Sequence, residues 1–321
     1  MKRLLTALAA GASALTWAAY FKDITDAKRR IETGNVLDGI EFGESGEGPP
    51  VLVIHGAGGG FDQGLALGRG FLGNGYRIIA PSRFGYLGTP LPANASAEAQ
   101  ADAHARLLDA LQINSVQAIG VSASASSAVH FCLRHPERCT ALVLVVPMAY
   151  VPDRAPVREL PPFFAAALNV MAESDFLFWM STKVAHAKLV QTLLGTPIEV
   201  YRNATRAERH AVDFMMRSVL PISRRAAGIR NESAVASALT RPALEEIAVP
   251  TLIISAEDCL YGTYANSVYT AGQIPHAKLV TFETGGHLLV GHEAEVRSQL
   301  RSVLTQPTTD QHRAEVRAAS R

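Results

Sequence analysis

The chain has 321 residues, of which 48% are hydrophobic and 18% are charged, and its formal net charge is +1. This length suits one large domain, or a domain with an inserted subdomain, and provides enough apolar residues for a sizeable core. The nearly neutral charge, with no basic cluster interleaved with aromatic residues, argues against nucleic-acid binding.

The N-terminal segment is apolar from residue 4 to residue 21, after two basic residues. As a helix, these about 18 residues would be roughly 27 Å long, close to the thickness of a bilayer's hydrocarbon core. Trp17, Tyr20 and Phe21 lie near its end, as aromatic residues do at a membrane interface. The segment therefore predicts a single N-terminal membrane anchor within residues 1–30 and association of the protein with a membrane.

Two other interpretations of this segment stay open. Ala12-Ser13-Ala14 resembles the cleavage site of a secretory signal, which would leave the mature protein secreted or periplasmic. An amphipathic or buried N-terminal helix is the third interpretation. Basic residues flank the apolar stretch on both sides, so the topology of an anchor also stays open.

Beyond residue 31, short apolar runs alternate with helical segments. The Gly-rich stretch 36–50 predicts a hairpin followed by a turn. Six later runs are typical of buried strands, namely VLVIH, RIIAPS, VQAIGV, ALVLVV, TLIIS and KLVTF. This alternation predicts an α/β fold with a mostly parallel central sheet and helices on both faces.

The alternation breaks once, because no strand-like run occurs between residue 146 and about residue 250. A plain loop of this length is unusual in a compact domain, and the residues are mostly helical in character. We therefore predict a helical cap insertion at 147–223, an α/β core formed by 31–146 and 224–304, and a flexible tail at 305–321.

The predicted cap is rich in large apolar side chains, and most of them are expected to form its own core. Some are expected to face a cavity, which favours an apolar small-molecule substrate. The aromatic members of this set are Phe163, Phe164, Phe176, Phe178 and Trp179.

One serine lies where a predicted buried strand turns into a helix, at Ser122 in the sequence Gly120-Val121-Ser122-Ala123-Ser124. A sharp strand-to-helix turn lifts its central side chain out of the sheet and requires small neighbours. The N-terminus of the following helix points its N–H groups at the same place. Ser122 is therefore the predicted nucleophile, and the N–H group of Ala123 is a predicted oxyanion donor.

A glycine-rich loop, His55-Gly56-Ala57-Gly58-Gly59-Gly60, follows another predicted buried strand. Such a loop lets backbone N–H groups face a ligand, and the N–H group of Ala57 is the predicted second oxyanion donor. A phosphate cradle is the rival interpretation, although neither common phosphate-loop motif is present.

His287 follows the last predicted strand and two glycines, within TFETGGHLLVGH. A histidine on a loop at the edge of the sheet is a suitable general base for Ser122. His292 falls within the next predicted helix and is a weaker candidate for this base.

From about residue 38 to residue 303, these motifs resemble the serine α/β-hydrolase family, with an HGAGGG oxyanion loop and a GxSxS nucleophile elbow. The resemblance implies a catalytic triad of Ser122, Asp258 and His287, an oxyanion hole and no cofactor or metal. Relatives with dehalogenase or epoxide hydrolase activity carry Asp at the elbow, whereas this chain carries Ser122.

The acidic residue of the predicted triad departs from the family pattern, because the usual position of its carboxylate corresponds to Cys259 in this chain. We predict that its neighbour Asp258 acts as the acid. Glu257, and Asp153 after an earlier strand, are the alternatives. A thiol does not stabilise an imidazolium as a carboxylate does.

The leading hypothesis is a serine hydrolase that cleaves an ester or similar carbonyl bond through an acyl-enzyme. The alternatives are a C–C bond hydrolase, a peptidase-like enzyme or a perhydrolase on the same fold, and a non-catalytic ligand-binding protein. The three cysteines, Cys132, Cys139 and Cys259, show no zinc-like spacing and predict no disulfide framework, with Cys132 buried as a small apolar residue. The sequence does not indicate an oligomeric state.

Overall fold

A computed structural model describes residues 2–152, 170 and 172–304 of the chain, with side chains from residue 14 onward. The sequence predictions for Asp153, Phe163, Phe164 and the tail at 305–321 lie outside the described residues.

The central sheet has eight strands, and each of the six predicted apolar runs forms one of them. The bounds are β1 (Asn35–Leu37), β2 (Ile40–Ser45), β3 (Pro50–Ile54), β4 (Arg77–Pro81), β5 (Val116–Val121), β6 (Cys139–Val145), β7 (Thr251–Ala256) and β8 (Lys278–Phe282). Their order is β1-β2-β4-β3-β5-β6-β7-β8, with β1 and β2 antiparallel to their neighbours and all other pairs parallel.

Helices connect the strands and cover the sheet. Their bounds are α1 (Lys2–Ile31), α2 (Phe61–Leu72), α3 (Ala97–Ala110), α4 (Ala125–Arg134), α5 (Asp175–Val184), α6 (His186–Thr192), α7 (Ile198–Asn203), α8 (Arg206–Ser218), α9 (Ala226–Ser237), α10 (Thr263–Gln273) and α11 (Glu293–Leu304). Short 3₁₀ turns lie at Ser122–Ser124, Ile222–Arg224, Leu244–Glu246 and Gly286–Leu288.

The core lies on both faces of the sheet, because successive residues of a strand point to opposite sides. In β3, Leu52 and Ile54 pack into one apolar cluster with side chains of α3 and α4. Val51 and Val53 pack into a second cluster with side chains of α2 and α11. Burial on both faces explains why these strands read as continuous apolar runs, and it confirms the predicted α/β fold.

Between β6 and β7, the described part of the chain forms helices α5 to α9. Phe178 and Trp179 pack with Leu220 and Ile222 in an apolar cluster of this helical segment. Ile24 and Ala27 of α1 belong to the same cluster, so this core is shared with the N-terminal helix and is not formed by the segment alone. The peptide bond between Leu220 and Pro221 is cis.

The second half of α1 packs against this helical segment. Trp17 stacks on Phe176 with 4.7 Å between ring centroids, and Trp179 Nε1 donates a hydrogen bond of 2.8 Å to Asp23. Tyr20 contacts the ring of Trp179 edge-on. Two of the aromatic side chains that the sequence assigned to a membrane interface therefore contact protein.

Among the residues that the structure describes, no helix combines the length and apolar character needed to cross a membrane. The predicted transmembrane anchor at residues 4–21 is not supported by this finding.

Cys132 and Cys139 form a disulfide bond between α4 and the first residue of β6. Cys132 is buried in α4, as predicted, but the disulfide bond was not predicted. The bridge is local and joins cysteines only 7 positions apart, so it is not part of a disulfide framework across the chain. The turn from α4 into β6 brings their Cα atoms to 5.1 Å.

Candidate active site

Ser122 lies at a sharp turn between β5 and α4. Its φ angle is 56°, in the left-handed region that a serine rarely adopts. Gly120 makes this turn sterically possible, because a Cβ atom there would lie only 2.7 Å from the Cβ of Ala128. The turn leaves the Ser122 side chain at the carboxyl end of β5, as the sequence predicts for a nucleophile elbow.

Ser124 stands where the family pattern usually has a second glycine, and its hydroxyl holds the turn together. Its Oγ accepts a hydrogen bond of 2.7 Å from the N–H group of Val121 and donates one of 2.8 Å to the carbonyl of Ile54. These bonds join the ends of β5 and β3. Ser124 therefore has a structural role.

The structure brings Ser122 and His287 together. Nε2 of His287 lies 2.8 Å from Oγ of Ser122, although 165 positions separate the two residues. Both side chains are buried, with His287 9% exposed. Burial lowers the pKa of His287 to about 4, because desolvation penalises the charged imidazolium. The imidazole is therefore neutral at neutral pH and able to accept the proton of Ser122.

The other ring nitrogen of His287 faces sulfur. Nδ1 lies 3.3 Å from Sγ of Cys259, which also accepts a hydrogen bond of 3.0 Å from the hydroxyl of Thr263. Cys259 is itself buried. The family's usual carboxylate position and the position facing Nδ1 are therefore the same residue, Cys259.

Asp258 does not reach His287, so the prediction of Asp258 as the partner of Nδ1 is wrong. Its carboxylate instead accepts hydrogen bonds from the N–H groups of Gly285, at 3.2 Å, and Gly286, at 2.7 Å. Glu257 is exposed, and its N–H group pairs with the carbonyl of Phe282. Asp258 thus binds the backbone of the loop that carries His287 and not its side chain.

Ala57 and Ala123 carry the predicted oxyanion donors. Among the described residues, neither backbone N–H group has a hydrogen-bond acceptor. Gly56 brings the two loops together, since a Cβ atom there would lie 3.2 Å from the Cβ of Ser122. Ala57 is exposed and Ala123 is half-buried, so both amides remain available beside the serine.

The buried side chain of His55 holds the glycine-rich loop in place through hydrogen bonds. The N–H group of Arg83 donates a hydrogen bond of 3.0 Å to its Nε2, so Nδ1 carries the proton and donates to the carbonyl of Gly56 at 2.7 Å. Complete burial, together with the nearby Arg83 charge, lowers the pKa of His55 well below its usual range. His55 is a neutral structural group that fixes the peptide preceding Ala57.

Asp62, in the first turn of α2, forms a buried ionic network that the sequence analysis did not identify. Its carboxylate binds Arg225 at 2.9 Å and Arg30 at 2.6 Å. Arg225 also donates to the carbonyl of Gly59 in the glycine-rich loop. Burial alone would raise the pKa of Asp62, but the two guanidinium groups outweigh it and lower this pKa. An acidic residue in a first helical turn was the only sequence signal.

Within residues 2–152 and the described positions up to 304, no group of three histidine, cysteine or acidic side chains is placed to hold a metal ion.

The chain belongs to the α/β hydrolase fold family, whose model matches residues 49–293. It is 36% identical over 118 residues to the uncharacterized hydrolase YcgS of Bacillus subtilis, which covers 36% of this chain and 41% of that protein. It is also 31% identical over 146 residues to a 2-hydroxymuconate semialdehyde hydrolase of a Pseudomonas species, which covers 40% of this chain and 52% of that enzyme. The matches thus span about half, or less, of these curated relatives.

Among solved structures, the chain is similar to an alpha/beta hydrolase fold protein from Nakamurella multipartita. The TM-score is 0.65 and the identity 27%, over 83% of this chain and 95% of that one.

Proposed function

We propose that this protein is a serine hydrolase that cleaves an ester or similar carbonyl bond of an apolar small molecule through an acyl-enzyme. The contact of 2.8 Å between Ser122 Oγ and His287 Nε2 carries the proposal. Membership of the α/β hydrolase fold family supports it.

In the acylation step, Oγ of Ser122 attacks the carbonyl carbon while its proton passes to Nε2 of His287. The oxygen of the tetrahedral intermediate accepts hydrogen bonds from the N–H groups of Ala57 and Ala123. The bond to the leaving group then breaks, and a basic leaving group takes the proton from Nε2. In deacylation, His287 takes a proton from water as the water oxygen attacks the acyl carbon. The bond from that carbon to Ser122 Oγ then breaks, Oγ takes the proton back from Nε2, and the acid is released.

Apolar residues next to the glycine-rich loop, Ser122 and His287 support an apolar substrate. Val219 lies against the glycine-rich loop, since a Cβ atom at Gly58 would be 3.6 Å from its methyl groups. Met148 follows β6, and its N–H group donates to the carbonyl of Ser122. The ring of Tyr261 meets His287 edge-on at 4.8 Å.

The assignment is tested with p-nitrophenyl butyrate and a fluorophosphonate probe. We expect ester hydrolysis by the wild type, loss of about 10³-fold or more in kcat for Ser122→Ala and His287→Ala, and probe labelling only when Ser122 is present. Ser127→Ala, which changes a serine of α4, is the matched control and should retain activity. Equal rates in the wild type and Ser122→Ala would refute the proposal, and tight ligand binding without labelling would favour a non-catalytic role.

C–C bond hydrolysis is the second candidate, favoured by the similarity to a 2-hydroxymuconate semialdehyde hydrolase. This candidate predicts turnover of 2-hydroxymuconate semialdehyde, which is measured as a decrease in the absorbance of that substrate. Turnover of that compound with no ester hydrolysis would favour the second candidate over the first.

A further inference from the structure

The imidazole of His287 lies between a hydroxyl group and a thiol. Its Nε2 contacts Ser122, and the described contact of its Nδ1 is with Cys259 Sγ at 3.3 Å. The nearest acidic residue in sequence, Asp258, is bound to the N–H groups of Gly285 and Gly286. Among the described hydrogen bonds, therefore, no carboxylate supports the imidazole.

The groups behind the sulfur are also uncharged. Thr263 donates its hydroxyl to Sγ at 3.0 Å, and Ser255 lies 3.3 Å from the Thr263 hydroxyl. Ser255 and Thr263 are both completely buried. The sulfur can thus accept a hydrogen bond from Nδ1–H, which keeps Nε2 free to accept the proton of Ser122. It supplies orientation without the negative charge that a carboxylate would add.

This arrangement limits how much positive charge His287 can accept. In a Ser-His-Asp triad, the carboxylate both fixes the tautomer and stabilises the imidazolium that forms in the transition state. A neutral thiol serves only the first purpose. The desolvated imidazole is accordingly a weak base, with a pKa lowered by burial to about 4.

The leaving group decides how costly this limitation is. An acyl group bound to an acidic leaving group is more electrophilic, and the leaving group departs as an anion without needing a proton. Proton transfer from Ser122 is then less advanced in the transition state, and less positive charge develops on His287. An alkoxide or amine must be protonated as it leaves, so the reaction passes through the full imidazolium.

We propose that Cys259 is a positioning residue that orients His287 without stabilising its charge, and that acylation of Ser122 is therefore selective for acyl compounds with acidic leaving groups. Phenyl, enol and thiol esters belong to this class, whereas alkyl esters and amides do not. In the reaction, the Ser122 Oγ–carbonyl carbon bond forms and the Oγ proton moves to Nε2. The bond from the carbonyl carbon to the oxygen or sulfur of the leaving group breaks, and the electron pair leaves with the phenolate, enolate or thiolate. The proton on Nε2 then passes to solvent or to the departed anion, so that His287 is neutral again for deacylation. This inference rests on the proposed serine mechanism.

The experiment compares one acyl chain on three leaving groups, using p-nitrophenyl, phenyl and ethyl butyrate. Rates are followed by proton release at constant pH for the wild type, Cys259→Asp and Cys259→Ser. In Cys259→Asp the new carboxylate faces Nδ1 and the Thr263 hydroxyl, both of which are able to donate to it. We expect kcat/KM, which reports the acylation of Ser122, to rise about tenfold or less with the p-nitrophenyl ester and about a hundredfold or more with the ethyl ester. Deacylation of the butyryl-enzyme is common to all three esters and does not enter this comparison.

Cys259→Ser keeps an uncharged acceptor and should retain the steep dependence of the wild type on the leaving group. A gain in Cys259→Asp that is equal for all three esters, or no gain in a folded variant, would overturn the proposal. If Cys259→Asp does not fold, the wild type alone decides. A p-nitrophenyl to ethyl ratio of kcat/KM above about 10⁴ supports the proposal, and a ratio below about 10 contradicts it.

Failure of the serine mechanism itself is distinguishable from failure of this inference. It appears as activity retained in Ser122→Ala, whatever the dependence on the leaving group.

Discussion

Asp62 and Arg225 form a buried ion pair directly behind the glycine-rich loop, with 2.9 Å between Oδ2 and Nη2. Both side chains are inaccessible to solvent, at 1% and 0% exposure. Arg225 follows the 3₁₀ turn Ile222–Arg224, and Arg30 of α1 reaches the same carboxylate. Through this network, one carboxylate connects the N-terminal helix, the loop that carries Ala57 and the residue that directly precedes α9.

Replacing Asp62 by Asn should destabilise the protein by about 3–5 kcal/mol, because it leaves a buried guanidinium without its counter-charge. Urea unfolding at pH 7 measures this change. Glu199→Gln is the control, since it removes an exposed partner of Arg202 and should cost less than about 1 kcal/mol. A loss in Asp62→Asn no greater than in the control would show that the network is not needed for stability.

The left-handed backbone at position 122 should make the folded protein less stable with a side chain there than with glycine. At a φ angle of 56°, Ser122→Gly should be more stable than Ser122→Ala by about 1 kcal/mol, because glycine adopts the left-handed region without a Cβ penalty. Both variants should be inactive. The same pair at Ser127, within α4, should show the opposite order by about 1 kcal/mol. Thermal unfolding of the four variants measures the stability difference between glycine and alanine at each position. The same order of stability at both positions would contradict backbone strain at Ser122.

Asp258→Asn should reduce kcat less than about tenfold, because the carboxamide oxygen can still accept from the N–H group of Gly286. A residue acting as the triad acid would instead lose about 10⁴-fold on this change. Asp258→Ala removes both loop hydrogen bonds and should cost about 1–3 kcal/mol of stability. Ester hydrolysis and urea unfolding measure the two effects. A loss near 10⁴-fold in a stable Asp258→Asn variant would return this residue to the acid role.

The acid-side midpoint of the profile of kcat/KM against pH should lie at an unusually low pH. The pKa of His287 is lowered from 6.5 to about 4, so the neutral imidazole persists as the pH falls and is lost only near pH 4. The kcat/KM for p-nitrophenyl butyrate should therefore be level down to about pH 5 and fall below it. In Cys259→Asp the midpoint should move upward, since a carboxylate favours the imidazolium.

Circular dichroism at each pH separates this titration from acid unfolding. A wild-type midpoint at or above pH 6.5, with the fold intact, would be incompatible with an imidazole that lacks a charged partner.

The sheet was predictable because burial on both faces leaves a direct trace in the sequence. Each predicted run, such as VLVIH or VQAIGV, became a strand within one or two residues of its predicted bounds. The meeting of Ser122 and His287 followed from the same logic, because parallel strands bring their carboxyl ends to one edge. These features depend on residue types close together in the chain.

The partner of Nδ1 was not predictable in the same way. Asp258 and Cys259 are adjacent, and which one faces His287 depends on the path of the loop after Ala256. That path is set by the amides of Gly285 and Gly286, which bind the Asp258 carboxylate. Sequence position pointed to Cys259 and the chemistry of a triad acid favoured Asp258, whereas the backbone hydrogen bonds of a distant loop determined the geometry.

The N-terminal helix shows a related limit. Its apolar composition and terminal aromatic residues fit either a bilayer or a protein surface, because both remove apolar area from water. The contact between Trp17 and Phe176 joins residues that are far apart in sequence, and the local sequence around Trp17 does not predict it.

The bridge between Cys132 and Cys139 leaves Cys259 as the single free sulfhydryl among three cysteines. A fluorinated tag attached to sulfur without reductant, in denaturant and before refolding, would therefore mark one atom position only. Its fluorine-19 NMR resonance would report on the imidazole next to it without interference from the rest of the chain. A substrate analogue that perturbs the ring would then be detected as the displacement of one spectral line.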